Sequence, residues 1–290
     1  MIPQAVVVGF EAGIESGELM ELTQRLRLID EELRGFAYEG ATMAYTILDQ
    51  MRPGRRKRAR ELLLGPAEPY AFLTYIGIGF AMARLPRPRW RAVLPDLTGA
   101  PYYPALSWLA VDGYGFDLAY FHPQRYIGRR ERPRPYPWLG APQYFPRAVD
   151  QGIGRALWFI QGARVADVAA AISTFESHRQ ADLWSGVGLA AAFAGGMDAA
   201  GYADLRQSAD RYWPELAQGV TFAAKARTFS GLVPPHTASA VEVLTDLTVG
   251  EAAATVDAAV MATNTSNPQL VYEEWRRCVR ERFARIAHAI

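Results

Sequence analysis

Polar side chains recur along the chain at positions where carboxylates could act as general acids or bases. Each position directly precedes a glycine, and these glycines follow one another at intervals of 33 to 39 residues. A polar group on an apolar helix face must be hydrogen-bonded if it is buried. These side chains therefore either tie neighbouring helices together or line a cavity. Five of the six positions are polar, and we call the set the polar column: Glu39, Ile76, Asp112, Gln151, Ser185 and Gln218.

Asp150 and Arg155 flank one member of the column. Arg155 follows Gln151 by four residues, so the two share a helical face and could belong to a buried polar network. A pair with this spacing is also common on solvated helices. If the network is buried, we expect a carboxylate from a neighbouring unit to hold Arg155, either Asp112 or Glu39, rather than Asp150. The candidate residues are Glu39, Asp112, Asp150 and Arg155 for catalysis, and Gln151 and Gln218 for substrate binding.

A second group of titratable residues follows at 176–180, which we interpret as a polar turn. It contains His178 and leads to Asp182. Histidine can exchange protons near neutral pH, although a lone histidine in a polar turn is usually only solvated. We include His178 and Asp182 among the catalytic candidates. The four histidines of the chain have no metal-binding spacing, so we predict no metal site.

The glycines that follow the column indicate which elements hold it. Most begin a Gly-x-Gly pattern, and five of the six have alanine four residues later, on the same helical face. Small residues there let two helices approach closely, which explains glycines that cost about 1 kcal/mol each in helix propensity. A dinucleotide-binding loop would need a preceding strand and a third glycine. We therefore predict an all-α array of helical hairpins with a period of about 36 residues, as an open superhelix or a closed toroid.

Aromatic residues lie close to the glycine units in the sequence. Such a stripe at helical spacing is more often part of a core than of a pocket, and a pocket lined by it would bind an apolar molecule. The candidate substrate-binding aromatics are Tyr38, Tyr75, Tyr114, Trp158 and Trp184.

Three segments carry more specific predictions. Apolar spacing predicts helix over residues 5–35, with 5–9 as the one doubtful stretch, and a further helix over 36–51. Prolines, arginines and aromatics predict a long loop insertion with little helix at about 123–146. A basic run at 55–60 is either a solvated helix face or a surface for an acidic partner.

Composition limits the class of protein. The 290 residues are expected to form one domain, and a net charge of +1 gives no general attraction to nucleic acid. The single cysteine excludes an internal disulfide and suits a cytoplasmic location. We find neither a secretory leader nor a membrane-spanning run, and no nucleotide-binding motif, so no cofactor is expected.

Four stretches carry a resemblance to a known family. They are Phe36–Ala41, Asp112–Phe116, Asp150–Phe159 and Asp182–Gly188. In this order they resemble, over almost the full length of the chain, a bacterial family of unknown function whose members bear the label enediyne biosynthesis protein. The resemblance implies an association with gene clusters for enediyne-type polyketides and related natural products. It implies no reaction and no catalytic residues.

Two functions follow as hypotheses. The first is a cofactor-independent enzyme that binds an apolar polyene in a helical cavity and promotes its cyclisation or isomerisation. The second is a non-catalytic repeat scaffold that binds a polyketide synthase, a carrier protein or another pathway enzyme, with the basic run facing an acidic partner.

Overall fold

The computed structural model describes residues 1–51, 57–262 and 270–287, and every regular element within these ranges is helical. The all-α class is therefore confirmed. The chain divides into two compact units, Met1–Tyr114 (unit 1) and Gly115–Ile290 (unit 2). The expectation of a single domain stays a prediction, and so does the expectation of an open or closed array of helical hairpins.

Unit 1 contains five α-helices and the first part of a sixth, whose remainder belongs to unit 2. Within unit 1, the first helix packs against the third, and the third packs against the fifth. The six are α1 (Ile2–Glu15), α2 (Leu19–Arg27), α3 (Glu31–Met51), α4 (Arg58–Leu63), α5 (Ala71–Arg84) and α6 (Trp108–Phe121).

Unit 2 contains longer and shorter helices in alternation. They are α7 (Phe145–Ile160), α8 (Val165–Ser173), α9 (Ser177–Ala194), α10 (Ala199–Ala209), α11 (Trp213–Ser230), α12 (Pro235–Thr245), α13 (Val249–Ala262) and α14 (Val271–Ala287). The long helices α7, α9, α11 and α13 contact one another in series, and α8, α10 and α12 contact one another in the same order. The helix α14 packs against α11 and α13.

Glycines mark the points where consecutive long helices meet. A Cβ atom on Gly186 of α9 would lie 2.0 Å from the carbonyl oxygen of Gln151 in α7, and one on Gly188 would lie 2.1 Å from that of Leu216 in α11. Only a residue without a side chain allows this approach. The first glycine thus faces the preceding helix and the second faces the following one. The same contacts with carbonyl oxygens recur along the chain. First glycines contact the preceding helix: Gly77 at Glu39, Gly113 at Ile76 and Gly219 at Ser185. Second glycines contact the following helix: Gly79 at Ala110, Gly115 at Val149 and Gly154 at Leu183.

Helix α1 makes the same contact, which the sequence pattern did not reveal. A Cβ atom on Gly9 would lie 1.9 Å from the carbonyl oxygen of Ala37, and one on Gly40 would lie 1.9 Å from that of Val6. Val7 therefore occupies the place of the first glycine, and it is 53% exposed. The doubtful stretch 5–9 is helical.

Several predicted boundaries were wrong. The helix predicted over 5–35 is interrupted at 16–18, where Glu18 is extended, and again at 28–30. Helix α3 begins at Glu31 rather than at residue 36, because the side chain of Asp30 accepts a hydrogen bond from the backbone N–H of Glu32. The predicted polar turn at 176–180 is largely the first turn of α9, which begins at Ser177.

The segment 123–146 contains a π-helical turn at Gln124–Gly128 and a short 3-10 turn at Trp138–Gly140. Residues 130–137 between them have no regular structure. Tyr126 and Trp138 are buried, so the segment is anchored by aromatic side chains.

Candidate functional site

The polar column is buried in both units. Glu39 and Asp112 in unit 1 are 4% and 1% exposed, and Gln151, Ser185 and Gln218 in unit 2 are each 1% exposed. Because these side chains are buried, the atoms that they contact decide whether the column is structural or lines a cavity.

In unit 2, one arginine from α14 reaches the column. Arg276 is fully buried; its Nε donates to Oε1 of Gln218 at 3.1 Å and its Nη2 donates to Oδ1 of Asp182 at 3.0 Å. Its Nη1 donates to the hydroxyl of Tyr144 at 2.7 Å and to Oε2 of Glu273 at 3.2 Å. All three guanidinium nitrogens are therefore used.

Arg147 contacts the same two carboxylates. Its Nε and Nη2 donate to the two oxygens of Asp182 at 2.9 and 3.2 Å, and its Nη1 lies 2.9 Å from Oε1 of Glu273. We call Arg147, Asp182, Glu273 and Arg276 the Arg276 cluster. Because both oxygens of Asp182 accept hydrogen bonds from arginines, this carboxylate is poorly suited to take a proton from a substrate.

The remaining column members of unit 2 are also hydrogen-bonded to other side chains. Nε2 of Gln151 lies 3.2 Å from the hydroxyl of Tyr272 on α14, and Oγ of Ser185 donates to Oε1 of Gln218 at 2.9 Å. Since Arg276 also donates to that oxygen, the column joins α7, α9 and α11 to α14. In unit 2 these contacts favour the structural interpretation.

Asp150 is the centre of a second buried ion pair. Arg179 of α9 donates to it through Nη2 at 2.6 Å and through Nε to both oxygens at 3.1 Å, and Nη2 of Arg132 lies 3.0 Å from Oδ2. The Nη1 atom of Arg179 also donates to the carbonyl oxygen of Arg130 at 2.7 Å. We call Asp150, Arg179 and Arg132 the Asp150 cluster; it fastens the irregular residues 130–137 to α7 and α9.

The pKa of Glu273 reflects its surroundings. Burial by itself would raise this pKa, but Arg276, Arg280 and Arg147 more than offset the burial and lower the pKa from 4.5 to about 2. The folded state therefore binds a proton less readily than the unfolded chain does, and stability is lost as the pH falls from about 4.5 toward 2.

We expect Glu273→Gln to flatten the pH dependence of unfolding in this range. The difference in pKa corresponds to about 3 kcal/mol at most, and solvent screening should leave about 2 kcal/mol. Urea unfolding between pH 5 and about 2.5 measures it: the parent protein should lose stability faster than the variant as the pH falls. Parallel curves would contradict the assigned pKa.

Unit 1 carries the other two carboxylates of the column. Glu39 lies on α3 and Asp112 on α6, with Ile76 on α5 between them in the series. A Cβ atom on Gly77 would lie 2.1 Å from the carbonyl oxygen of Glu39, and one on Gly113 would lie 2.4 Å from that of Ile76, so the three helices touch in order. The two carboxylates therefore lie on helices that α5 separates.

The predicted aromatic residues of unit 1 are also buried. The ring of Tyr38 stacks on that of Tyr70 at 4.9 Å, and Tyr114 meets Trp90 edge-on at 4.8 Å. Tyr75 is 1% exposed. The interior of unit 1, in which the two carboxylates are also buried, therefore contains several aromatic rings.

A protein-family model matches almost the whole chain. A family model described as "Protein of unknown function (DUF1702)" covers residues 1–283. The chain belongs to the DUF1702 family. Neither the curated proteins nor the solved structures gave a match to it.

In this DUF1702 chain, the other predicted site residues of unit 2 are not members of the two clusters. The Nε1 atom of Trp158 donates to the carbonyl oxygen of Gly195 at 2.9 Å, and Trp184 is 3% exposed, so both belong to the core of unit 2. The side chain of His178 is 60% exposed at the start of α9 and lies 3.5 Å from Glu176.

Arg155 is buried in α7, 7% exposed, with its guanidinium carbon 5.0 Å from the centre of the Phe116 ring. The carboxylates expected to hold it, Glu39 and Asp112, belong to unit 1, and that pairing stays a prediction. Asp150, which was not expected to pair with Arg155, is held by Arg179 and Arg132 instead.

The basic run is described only in part, since Arg55 and Arg56 lie outside the described residues. Lys57 is exposed. The guanidinium of Arg58 lies over the ring of Tyr45 at 5.6 Å, and Nε of Arg60 donates to the carbonyl oxygen of Asp96 at 2.9 Å. Two of the three described cations thus already contact unit 1, and docking of an acidic carrier through this run stays a prediction.

Sequence reasoning missed most members of the two clusters. A signal existed for Arg276, because it is the one charged residue on an otherwise apolar face of α14. That face consists of Tyr272, Trp275, Arg276, Val279 and Phe283, all of them buried. A lone arginine at such a position indicates a buried partner elsewhere in the chain. Arg132, Arg147 and Arg179 gave no comparable signal.

Two features are absent from the described residues. None of their helices combines the length and apolar character needed to span a bilayer. Within the same residues, no three or more His, Cys, Asp or Glu side chains are grouped so that they could hold a metal ion.

Proposed function

We propose that this protein acts in the biosynthesis of an enediyne-type polyketide or a related polyene. In this proposal it binds an apolar polyene in unit 1 and promotes isomerisation or cyclisation without a cofactor. The observation that supports it is the pair of buried carboxylates, Glu39 and Asp112, on either side of Ile76. The resemblance to proteins with the enediyne label supplies the substrate class, and the single cysteine fits a cytoplasmic location.

The separation of the two carboxylates suits an extended substrate. One carboxylate would take a proton from a saturated carbon at one end of the conjugated system, and the other, in its protonated form, would return a proton at the far end. The double bonds shift, the proton count is unchanged, and no oxidant or reductant is needed. Two carboxyl groups in complementary protonation states are the usual means of such a transfer.

Unit 2 has a structural role in this proposal. Asp150 and Asp182 were catalytic candidates, but each accepts hydrogen bonds from two arginines. We assign them to holding α7, α9 and α14 together. Gln151 and Gln218 have the same role, because their partners are on α14.

The test uses purified protein and a linear conjugated polyene hydrocarbon. Cyclisation would shorten the conjugated system and move the absorbance maximum, whereas a shift of the double bonds keeps the conjugated length and the mass and is detected by chromatographic separation of the isomers. We expect the parent protein to produce one of these two changes. Glu39→Gln and Asp112→Asn should each slow the change about 100-fold or more while the polyene still binds, since a positioned acid or base contributes about that much.

Glu11→Gln is the matched control, because Glu11 is an exposed carboxylate of the same unit. It should convert the polyene at the parent rate. Binding without conversion by the parent protein would favour a carrier or scaffold. Absence of both binding and conversion would reject the proposal.

A further inference from the structure

Tyr75 has a hydroxyl that the fold leaves unsatisfied. Its side chain is 1% exposed, and the hydroxyl has no hydrogen-bond partner among the described residues. A buried hydroxyl without a partner destabilises the folded state, because it has lost its hydrogen bonds to water and gained none in return. Such a group in a folded protein suggests that it binds something besides the protein.

Other aromatic residues lie on the same helix as Tyr75 or near it. Phe72, one helical turn before Tyr75 on α5, contacts the ring of Tyr102 at 5.7 Å. Burial raises the pKa of Tyr75, and the nearby Tyr103 raises it further, so the phenol stays a proton donor across the physiological pH range. Tyr103 itself is half-buried, which puts this aromatic cluster, Phe72, Tyr75, Tyr102 and Tyr103, between the interior of unit 1 and its surface.

We propose that the Tyr75 hydroxyl donates a hydrogen bond to an oxygen atom at one end of the bound polyene. The inference rests on the proposed function and narrows its substrate class: the ligand is a polyene with a carbonyl-type end, such as an ester or a thioester, rather than a pure hydrocarbon. The polyene chain would lie against the aromatic cluster, with its oxygen at Tyr75. A thioester end would also correspond to a chain still attached to its carrier.

Two probes of equal length separate these possibilities. One is the methyl ester of trans-parinaric acid, a fluorescent conjugated tetraene with a neutral carbonyl acceptor. The other is the octadecatetraene hydrocarbon. We expect the parent protein to bind the ester about 3–10-fold more tightly, which is the contribution of one neutral hydrogen bond. Tyr75→Phe should remove this preference and leave the affinity for the hydrocarbon unchanged.

Stability supplies the second readout. Because Tyr75→Phe removes an unsatisfied hydroxyl and no hydrogen bond, its melting temperature should equal or exceed that of the parent protein. The matched control is Tyr144→Phe, which removes the hydroxyl that accepts from Arg276 at 2.7 Å. That variant should melt at a lower temperature and keep the preference for the ester.

Each other outcome is decisive. If the parent protein binds both probes equally and Tyr75→Phe changes neither affinity, the assignment of Tyr75 is wrong while polyene binding survives. A lower melting temperature for Tyr75→Phe with unchanged affinities would mean that the hydroxyl binds only a buried water. Failure of both probes to bind the parent protein would reject the proposed function, and with it the inference.

Discussion

Replacing Arg276 by methionine should lower the free energy of unfolding by about 3–5 kcal/mol, the usual cost of removing one partner from a buried ion pair. Methionine keeps much of the length of the side chain. It leaves Asp182 with Arg147 alone, and the hydroxyl of Tyr144 and the amide oxygen of Gln218 each lose a donor. Urea or thermal unfolding measures the loss.

The neighbouring residue provides the control. Arg277 makes two ion pairs, with Glu274 and Glu281, but its side chain is 46% exposed. Arg277→Met should therefore cost about 0.5 kcal/mol or less. A double variant of Arg276→Met with Asp182→Asn should lose less than the sum of the single variants, because each single variant already removes the interaction between Arg276 and Asp182. Equally small losses of unfolding free energy for Arg276→Met and Arg277→Met would show that burial of the Arg276 cluster does not add to its contribution to stability.

Gly186→Ala should be nearly as damaging, although it adds one methyl group and improves helix propensity. The new Cβ would lie 2.0 Å from the carbonyl oxygen of Gln151 and 2.8 Å from the backbone nitrogen of Arg155, and backbone atoms cannot move aside without separating α7 from α9. Separation would also stretch the Asp150 cluster. We expect a net loss of about 3 kcal/mol, at the upper end of the range for overpacking.

Gly250→Ala is the matched control for this experiment. Gly250 lies near the start of α13, is exposed, and has no atom within 4 Å of its hypothetical Cβ. Alanine there should raise stability by about 0.5–1 kcal/mol through helix propensity. If both glycine variants gained stability, the close contact between α7 and α9 would be wrong.

The glycines in the sequence predicted close approach between helices, because a glycine inside a helix weakens that helix unless a neighbouring backbone occupies the space of its missing side chain. Gly186 and Gly188 make such contacts. The contact of the second glycine with the opposite neighbour was not predicted. The pattern failed at α1, where Val7 replaces the first glycine. An exposed face does not need a glycine, so the sequence there carries no sign of the shared geometry.

Burial of the polar column was also predictable, but its partners were not. Gln151 and Gln218 are buried as their helical faces required. Their partners on α14, Tyr272 and Arg276, are 121 and 58 residues away along the chain. Pairing over such distances depends on how the helices pack, and no periodicity within one helix encodes it. Whether the column of unit 2 lines a cavity therefore depends on the position of α14, and the residues of the column do not encode that position.

The Arg276 cluster also joins residues that are synthesised at different times. Arg276 follows Asp182 by 94 residues and Tyr144 by 132. At about 5–20 residues per second, Asp182 leaves the ribosome roughly 5–20 seconds before the arginine that binds it. During that interval the helices α7 to α13 lack the side chains of Trp275 and Phe283 and expose the apolar surface that receives them. Completion of unit 2 is thus a late, long-range step, and the nascent chain before that step is the form most exposed to aggregation and to capture by chaperones.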